Sequence, residues 1–170
     1  TILAGTTWTL TRSQLLDQRE RTSLRQAYLN ARLVRDGLSS AEDASDFNAL
    51  DLLGSLQTPV GAQPMLVFQG EFYSQSPVEF GEGSLPDPIR GAVVDGDAAT
   101  MRYVHRGEPV LAIGIPIPAV GAEYFEVVRE SPYMLVVDQL KKERCIAQKV
   151  DPNTNLKDWV NQPRSDVPAI

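Results

Sequence analysis

The sequence predicts an α+β domain: a five-stranded antiparallel sheet with a long amino-terminal helix and a short second helix. Two observations lead to this prediction. Residues 13–53 repeat apolar side chains at spacings of three and four, as amphipathic helices do. Residues 65–128 change to short apolar runs separated by tight, glycine-containing turns, as antiparallel strands do. With 170 residues, of which 42% are hydrophobic, the chain is large enough for one domain with a buried core.

The long helix is predicted over Ser13 to Asp36, because this segment lacks proline and glycine and is rich in good helix formers. Gly37 is expected to end it. One apolar stripe follows the helix, formed by Leu24, Tyr28, Ala31, Val34 and Leu38. Two uses of this stripe remain open. It could contact a second copy of the chain through Leu24, Tyr28 and Ala31, giving a homodimer, or it could pack on the chain's own sheet.

A second, shorter helix is predicted to begin at Ser39, because Ser39 and Glu42 have the spacing of a capping box. Leu50 and Leu53 then follow at a helical interval, and Gly54 marks the end of the helix. The helices are expected to cover one side of the sheet.

A first pair of strands is predicted over residues 65–68 and 71–76, around a turn at Gln69 and Gly70. The chain then reads "SLPDPIRGAVVDG", where the prolines suit a first helical turn and the last glycine suits a helix end. Ser84 is the expected cap of this short helical connection. Its apolar side is predicted to be Ile89, Val93 and Val94.

A meander of three strands is predicted over residues 99–105, 108–118 and 122–130. The middle strand carries the strongest core signal of the chain, an alternating face of Leu111, Ile113, Ile115 and Ile117. Pro116 and Pro118 cannot donate ladder hydrogen bonds, so this strand is expected to leave the sheet near its end.

Composition excludes several functions. A formal net charge of -6 argues against nucleic acid as a partner, because phosphate binding needs a basic surface. One histidine and one cysteine cannot supply the usual ligands of a zinc site, and the aspartates lack the spacing of a calcium loop. No nucleophile, base and oxyanion donor share a recognisable spacing, so we predict no catalytic residues, no metal and no cofactor.

A ligand pocket is a better hypothesis than a reaction, because a covered sheet offers a space between its face and the elements over it. Four side chains on the predicted strands could line such a pocket: Tyr73, Arg102, Tyr103 and His105. The competing interpretation is that each is an ordinary cross-strand partner.

The two ends of the chain differ from this pattern. Residues 1–12, "TILAGTTWTLTR", are uncharged until Arg12 and carry Trp8, which would suit the end of a transmembrane or juxtamembrane segment. Residues 13–130 are predicted to be the folded domain. Residues 131–170 are expected to form a helix followed by an irregular polar tail.

Four segments together resemble a known family: "LLDQRERTSLRQAYLNARLVRDGL", "MLVFQGEFYSQS", "LPDPIRGAVVDGDAATMRY" and "GEPVLAIGIPIPAVGAEYFEVV". Over about Leu15 to Val128 the chain is similar to the extracytoplasmic sensor region of actinobacterial two-component sensor histidine kinases. The resemblance implies a PAS-like sheet, with the short connection carrying the chain from the first hairpin to the meander. It also implies a cell-membrane protein with this domain on the extracytoplasmic side, and no phospho-acceptor histidine or ATP-binding motif within it. Residues after Val128 depart from the family pattern.

The function expected from these observations is sensing. A ligand or partner would bind at the sheet, and the helices would pass the signal through the membrane as a homodimer. Two alternatives come from other classes. The domain could be a secreted or membrane-anchored scaffold that binds a protein through a sheet edge. A small hydrolase using Asp95 or Asp97 is the weaker alternative.

Overall fold

The structure is a computed structural model that describes residues 2–40, 48–130 and 148–149, with side chains described for residues 17–40 and 48–130. Its three α-helices are α1 (Ile2–Ser40), α2 (Ala49–Ser55) and α3 (Asp87–Val94). Its strands are β1 (Ala62–Phe68), β2 (Glu71–Ser74), β3 (Ala99–His105), β4 (Glu108–Ile117), β5 (Ala122–Arg129) and β6 (Gln148–Lys149).

The strands form one antiparallel sheet in the order β2-β1-β5-β4-β3-β6. The α+β class is therefore confirmed, with its long helix, short second helix and five antiparallel strands. The two-residue β6 adds a sixth strand beside Ala99 and Thr100, and sequence analysis did not predict it. The rest of the predicted helix and tail after residue 130 lies outside the described residues.

Helix α1 is longer than predicted, and Gly37 does not end it. The helix continues to Ser40. A β-carbon on Gly37 would lie 2.8 Å from Leu52 Cδ1, so the glycine lets α1 and α2 approach each other. Gly37 was interpreted as a helix stop, but the structure explains this glycine by the close contact that it allows between α1 and α2.

The predicted start of the second helix is also wrong. Ser39 lies inside α1, and α2 begins ten residues later in sequence at Ala49. Its cap is Asn48, whose side-chain oxygen accepts hydrogen bonds from the backbone N–H groups of Leu50 (3.1 Å) and Asp51 (3.3 Å). Glu42, the other half of the expected capping box, lies outside the described residues.

Helices cover both faces of the sheet, whereas one covered side was expected. On the first face, which we call the α1 face, α1 and α2 pack on Leu111, Ile113, Ile115 and Ile117, so the strongest core signal is confirmed. On the other, the α3 face, α3 and the loop before it bury Phe80, Leu85, Ile89 and Val93. Two separate apolar clusters therefore hold the sheet between them.

The contact of α3 with the sheet depends on Gly114 in β4. A β-carbon there would lie 2.5 Å from Val93 Cγ2 and 3.0 Å from Phe125, so only glycine fits between helix and strand. Val94, predicted on the apolar side of this helix, is 68% exposed. Ser84 does not cap α3 either; Pro86 holds the N-cap position.

Strand β4 stays in the sheet through Ile117, which pairs with Ala122, and ends where Pro118 opens a turn. The expected departure near Pro116 does not occur. The pairing of β3 with β4 stops at Gly114, so Pro116 has only one strand neighbour in the described residues. A proline there therefore need not break the ladder with β5.

The apolar stripe of α1 packs on the chain's own sheet. Tyr28 is 1% exposed and Ala31 is fully buried, in the same cluster as Ile113 and Tyr124. Leu24 is partly buried against that cluster. The sequence left open whether this stripe contacts a second chain or the chain's own sheet. The expectation of a contact with a second chain is wrong for Tyr28 and Ala31, because both side chains are buried in the core and have almost no exposed surface. Homodimer formation by other residues stays a prediction.

Candidate functional site

The four predicted ligand residues lie in three places. Tyr73 is on β2, four strands away from β3, which is about 19 Å at the usual spacing between strands. Its hydroxyl donates to Glu71 Oε2 at 2.7 Å. On β3, Arg102 is on the α1 face, whereas Tyr103 and His105 are on the α3 face, because alternate residues of a strand point to opposite sides. The structure therefore brings together Tyr103 and His105 only.

Tyr103 and His105 hold the loop that leads to α3. The hydroxyl of Tyr103 donates to the backbone oxygen of Ser84 at 2.9 Å. His105 Nε2 lies 2.8 Å from the backbone oxygen of Glu79. A carbonyl oxygen only accepts, so Nε2 carries a hydrogen in this contact. The two side chains fix the two ends of the segment 79–84 to the strand.

The same loop is held by its aromatic and charged side chains. Phe80 is 1% exposed, and its ring stacks on His105 with centroids 5.0 Å apart. The guanidinium of Arg129 lies 5.7 Å from the centre of the Phe80 ring and forms an ion pair with Glu79. Arg106 donates to the backbone oxygen of Val78 at 2.5 Å. These contacts make the loop a fixed cover for the α3 face.

Burial raises the pKa of Tyr103 to about 12, so its hydroxyl stays a neutral donor at physiological pH. Tyr103 and His105 act as structural partners of the loop, whereas the competing interpretation expected partners on a neighbouring strand. Binding of a ligand by Tyr73, Arg102, Tyr103 or His105 stays a prediction.

A second group of polar side chains lies between α1 and the sheet, and we call it the α1–sheet polar seam: Glu20, Asn30, Thr100, Arg102, Glu126 and Glu130. At one end, Glu20 accepts from the hydroxyl of Thr100 at 2.9 Å and pairs with Arg102 at 2.6 Å. Arg102 also pairs with Glu130 at 3.1 Å. Burial lowers the pKa of Arg102, but the two glutamates outweigh it and the net change is upward.

At the other end of the seam, Glu126 is fully buried in β5. Its Oε2 accepts from the hydroxyl of Tyr124 at 2.8 Å and from Asn30 Nδ2 at 3.1 Å. Its Oε1 is buried and has no hydrogen-bond partner among the described residues. Asn30 Nδ2 also lies 3.0 Å from the backbone oxygen of Gln57, so one side chain joins α1 to β5 and to the segment after α2.

Burial has the largest effect on the pKa values of Glu126 and its neighbour Tyr124. Burial raises the pKa of Glu126 above its ordinary value, although the hydrogen bonds from Tyr124 and Asn30 act the other way. Burial also raises the pKa of Tyr124, and the neighbouring Glu126 adds to the rise. A carboxylic acid with this kind of shift in a folded domain is a candidate for a functional role.

Sequence analysis did not identify Glu126 or Asn30. Strand β5 carries Glu123 and Glu126, and alternation places one on each face of the sheet. The sequence does not tell which face is the more deeply covered, so neither glutamate stands out. A single asparagine within the apolar part of α1 was the available signal, and its burial follows only from the sheet beneath it.

No protein-family model, curated protein or solved structure matches the chain. Within residues 2–40, 48–130 and 148–149, no helix has the length and apolar character needed to cross a membrane. The described residues also contain no group of three or more metal-ligating side chains.

Proposed function

We propose that this chain is the extracytoplasmic sensing module of a membrane sensor histidine kinase, which detects a ligand or partner and signals through α1. The domain itself performs no catalysis in this proposal, and the kinase activity belongs to the parent protein. It works as a homodimer beside the cell membrane, on the extracytoplasmic side. The resemblance of residues 15–128 to such sensor regions is one support.

The observation that carries the proposal is the division of α1 into two parts. The helix has 39 residues, which is about 58 Å of length, whereas the longest strand, of ten residues, spans about 34 Å. Its buried side chains run from Ala27 to Leu38, while Asp17, Gln18 and Arg19 are exposed. One rigid element therefore has a docked part and a part that leaves the sheet, as a helix that carries a signal must.

The α1–sheet polar seam supplies the coupling. Apolar contacts have little directionality, but paired buried polar groups fix one position of the helix, because losing a partner leaves a buried polar atom unsatisfied. Glu20 is tied to Thr100 and Arg102, and Asn30 is tied to Glu126. A change at the sheet would thus shift α1 between two packings, which is how such domains transmit a signal.

A ligand is tested by thermal unfolding of the chain against a panel of metal ions, small metabolites and protein partners. A true ligand at 100 times its dissociation constant adds about 2.7 kcal/mol to the free energy of unfolding. A panel without any shift counts against small-molecule sensing at this sheet. The full-length reading frame is the complementary test, because the proposal expects a histidine kinase core in the same polypeptide.

Transmission through α1 is tested in the parent protein by insertions after Arg19, between the exposed residues 17–19 and Glu20, which contacts the sheet through Thr100 and Arg102. Two inserted alanines turn the helix by about 200°, whereas seven turn it by about two complete turns and keep its phase. We expect the two-residue insertion to change autophosphorylation and the seven-residue insertion to change it less. Equal activity of both variants and the parent protein would contradict signalling by helix rotation.

A second candidate function is a protein-binding scaffold, and one feature favours it. Strand β6 pairs with β3 only at Ala99 and Thr100, so in the described residues the outer edge of β3 from Met101 to His105 pairs with no strand. An exposed edge can accept a strand from another protein. A gain of amide protection at Met101–His105 on partner binding, with no kinase core in the reading frame, would favour this function over sensing.

A further inference from the structure

Glu126 occupies an unusual position for a carboxylate. It is fully buried on the α1 face, at the centre of the sheet, with Pro64 opposite it on β1 and Ile113 opposite it on β4. Neither neighbour has a side chain that can donate a hydrogen bond or provide a positive charge. The carboxylate therefore has apolar side chains on both sides within the sheet, and its donors come from Tyr124 of its own strand and from Asn30 of α1 above it.

Few other ionisable side chains on this side of the sheet are buried or half-buried. They are Tyr124 on β5, Glu20, Tyr28, Arg32, Arg35 and Asp36 on α1, Tyr73 on β2, Arg102 on β3, and Glu130 just after β5, whereas Asp17, Arg19, Arg21 and Arg25 of α1 and Asp51 of α2 are exposed. Arg102 is two strands away from Glu126, about 10 Å, and is paired with Glu20 and Glu130. Arg35 is paired with Asp36 at 2.6 Å. Among the described residues, the hydrogen-bond partners of the Glu126 carboxylate are Tyr124 and Asn30, and neither is a cation.

The two protonation states of Glu126 therefore differ in how well they suit the docked position of α1. In the part of the chain that the structure describes, the ionised form has no cation in contact with it, and one of its oxygens has no donor. Water can reach that oxygen only if the cover moves, and Asn30 of α1 is part of that cover. The neutral form removes the charge, and a neutral oxygen without a partner costs less to bury than part of an unpaired charge does.

We propose that Glu126 is a proton-binding site that controls how firmly α1 docks on the sheet. Protonation holds the docked packing, and ionisation favours a packing in which α1 has moved away and the carboxylate is hydrated. This inference rests on the proposed sensing function, because it names the proton as a cue and α1 as the element that responds. The upward pKa shift caused by burial is consistent with it.

The direction of the pH effect follows from linkage. The docked state holds its proton to a higher pH than the state in which Glu126 is hydrated, so docking is strongest at low pH and weakens as pH rises. Between the two pKa values the ratio of loosened to docked α1 rises about tenfold per pH unit. Below the ordinary glutamate pKa the ratio is constant.

The test is an NMR titration of the whole chain from pH 4 to pH 8, with two readouts. The carboxyl carbon of Glu126 reports its own ionisation. The amide protection factors of Leu24 to Leu38, corrected for intrinsic exchange, report docking. We expect Glu126 to titrate above the ordinary range of a glutamate, and the protection of α1 to fall by up to tenfold per pH unit over the same interval.

Glu126→Gln is the diagnostic variant, since it keeps the shape and stays neutral. We expect its α1 protection to be independent of pH and close to the wild-type value at low pH. Glu82→Gln is the matched control, because Glu82 is an exposed partner of Arg90, and it should keep the wild-type pH dependence. If Glu126→Gln does not fold, the wild-type titration decides by itself.

Two results would overturn the proposal: an ordinary titration of Glu126, or a raised titration with constant protection of α1. Neither result would contradict the sensing function, because a domain that does not respond to protons can still respond to another ligand. The ligand panel and the helix insertions test the sensing function separately. Conversely, the expected titration could be observed in a parent protein that has no kinase core. That result would support the proton-binding site and contradict the sensor-kinase proposal.

Discussion

Asn30 Nδ2 lies 3.1 Å from Glu126 Oε2, and the two residues are 96 positions apart in the chain. The same nitrogen lies 3.0 Å from the backbone oxygen of Gln57. One amide group therefore connects the long helix, a central strand and the segment after the second helix. All three meet on the α1 face of the sheet, where the helix and the segment cover the strand.

Asn30→Ala should lower the free energy of unfolding by about 1–3 kcal/mol, because it removes a donor from the buried Glu126 carboxylate, which then keeps only Tyr124, and one of the two side-chain donors to the Gln57 oxygen. Urea denaturation at pH 7 measures this. Gln26→Ala is the matched control, since the half-buried Gln26 donates to the same oxygen of Gln57 at 2.9 Å, in an exposed hydrogen bond, and has no hydrogen bond with Glu126. Its loss should stay within about 0.5 kcal/mol. Equal losses in both variants would mean that the bond to Glu126 adds no stability.

The stability of the chain should fall as pH rises, in the window that Glu126 controls. Its pKa is higher in the folded state than in the unfolded state, so its contribution is complete below the ordinary glutamate pKa and is lost as pH rises through the folded pKa. The loss is about 1.4 kcal/mol for each unit by which folding raises the pKa.

Urea denaturation at pH 5 and pH 8 checks this prediction with Glu126→Gln beside the wild type. The variant should lose less stability between the two pH values, because its neutral side chain has nothing to ionise. Glu123, whose pKa burial also raises, contributes in the same direction in both proteins and cancels in the comparison. A variant with the same pH dependence as the wild type would contradict the assignment.

Gly114→Ala should lower the free energy of unfolding by about 1–3 kcal/mol, because the new methyl group would overlap Val93 and Phe125. Gly91→Ala, in α3 itself, is the control. A β-carbon there meets nothing within 4 Å, so alanine should stabilise the helix by about 0.5–1 kcal/mol. Thermal unfolding of both variants measures the difference. A neutral Gly114→Ala would show that α3 can move away from the sheet without penalty.

Tyr103→Phe should destabilise the loop before α3 by about 1 kcal/mol, because the backbone oxygen of Ser84 loses its donor. Faster amide exchange in residues 79–84 measures this locally. Tyr73→Phe removes a hydroxyl that bonds to Glu71, which is exposed, and should change stability by less than about 0.5 kcal/mol. If both variants exchange like the wild type, the Tyr103 bond does not hold the loop.

Much of the fold could be predicted from the sequence because its strands carry local signals. The alternation in β4 and the glycine turns on either side of it set the meander, and β3 was predicted with its observed bounds. Helix ends were predicted less well. Gly37 and Ser39 have the chemistry of a stop and a cap, but the chain continues as a helix through both. At Gly37 a tertiary contact with Leu52 determines the residue type.

The sequence by itself determined the class of fold, the order of its main elements and the large apolar face of β4 formed by Leu111, Ile113, Ile115 and Ile117, because periodicity and turn chemistry act over a few neighbouring residues. Only the tertiary structure decided that both faces are covered, that Tyr103 and His105 hold a loop apart from Arg102, and that Glu126 lies beneath Asn30. These depend on pairs of residues far apart in the chain. Which glutamate of β5 becomes buried is decided by what packs over it, and no local pattern contains that information.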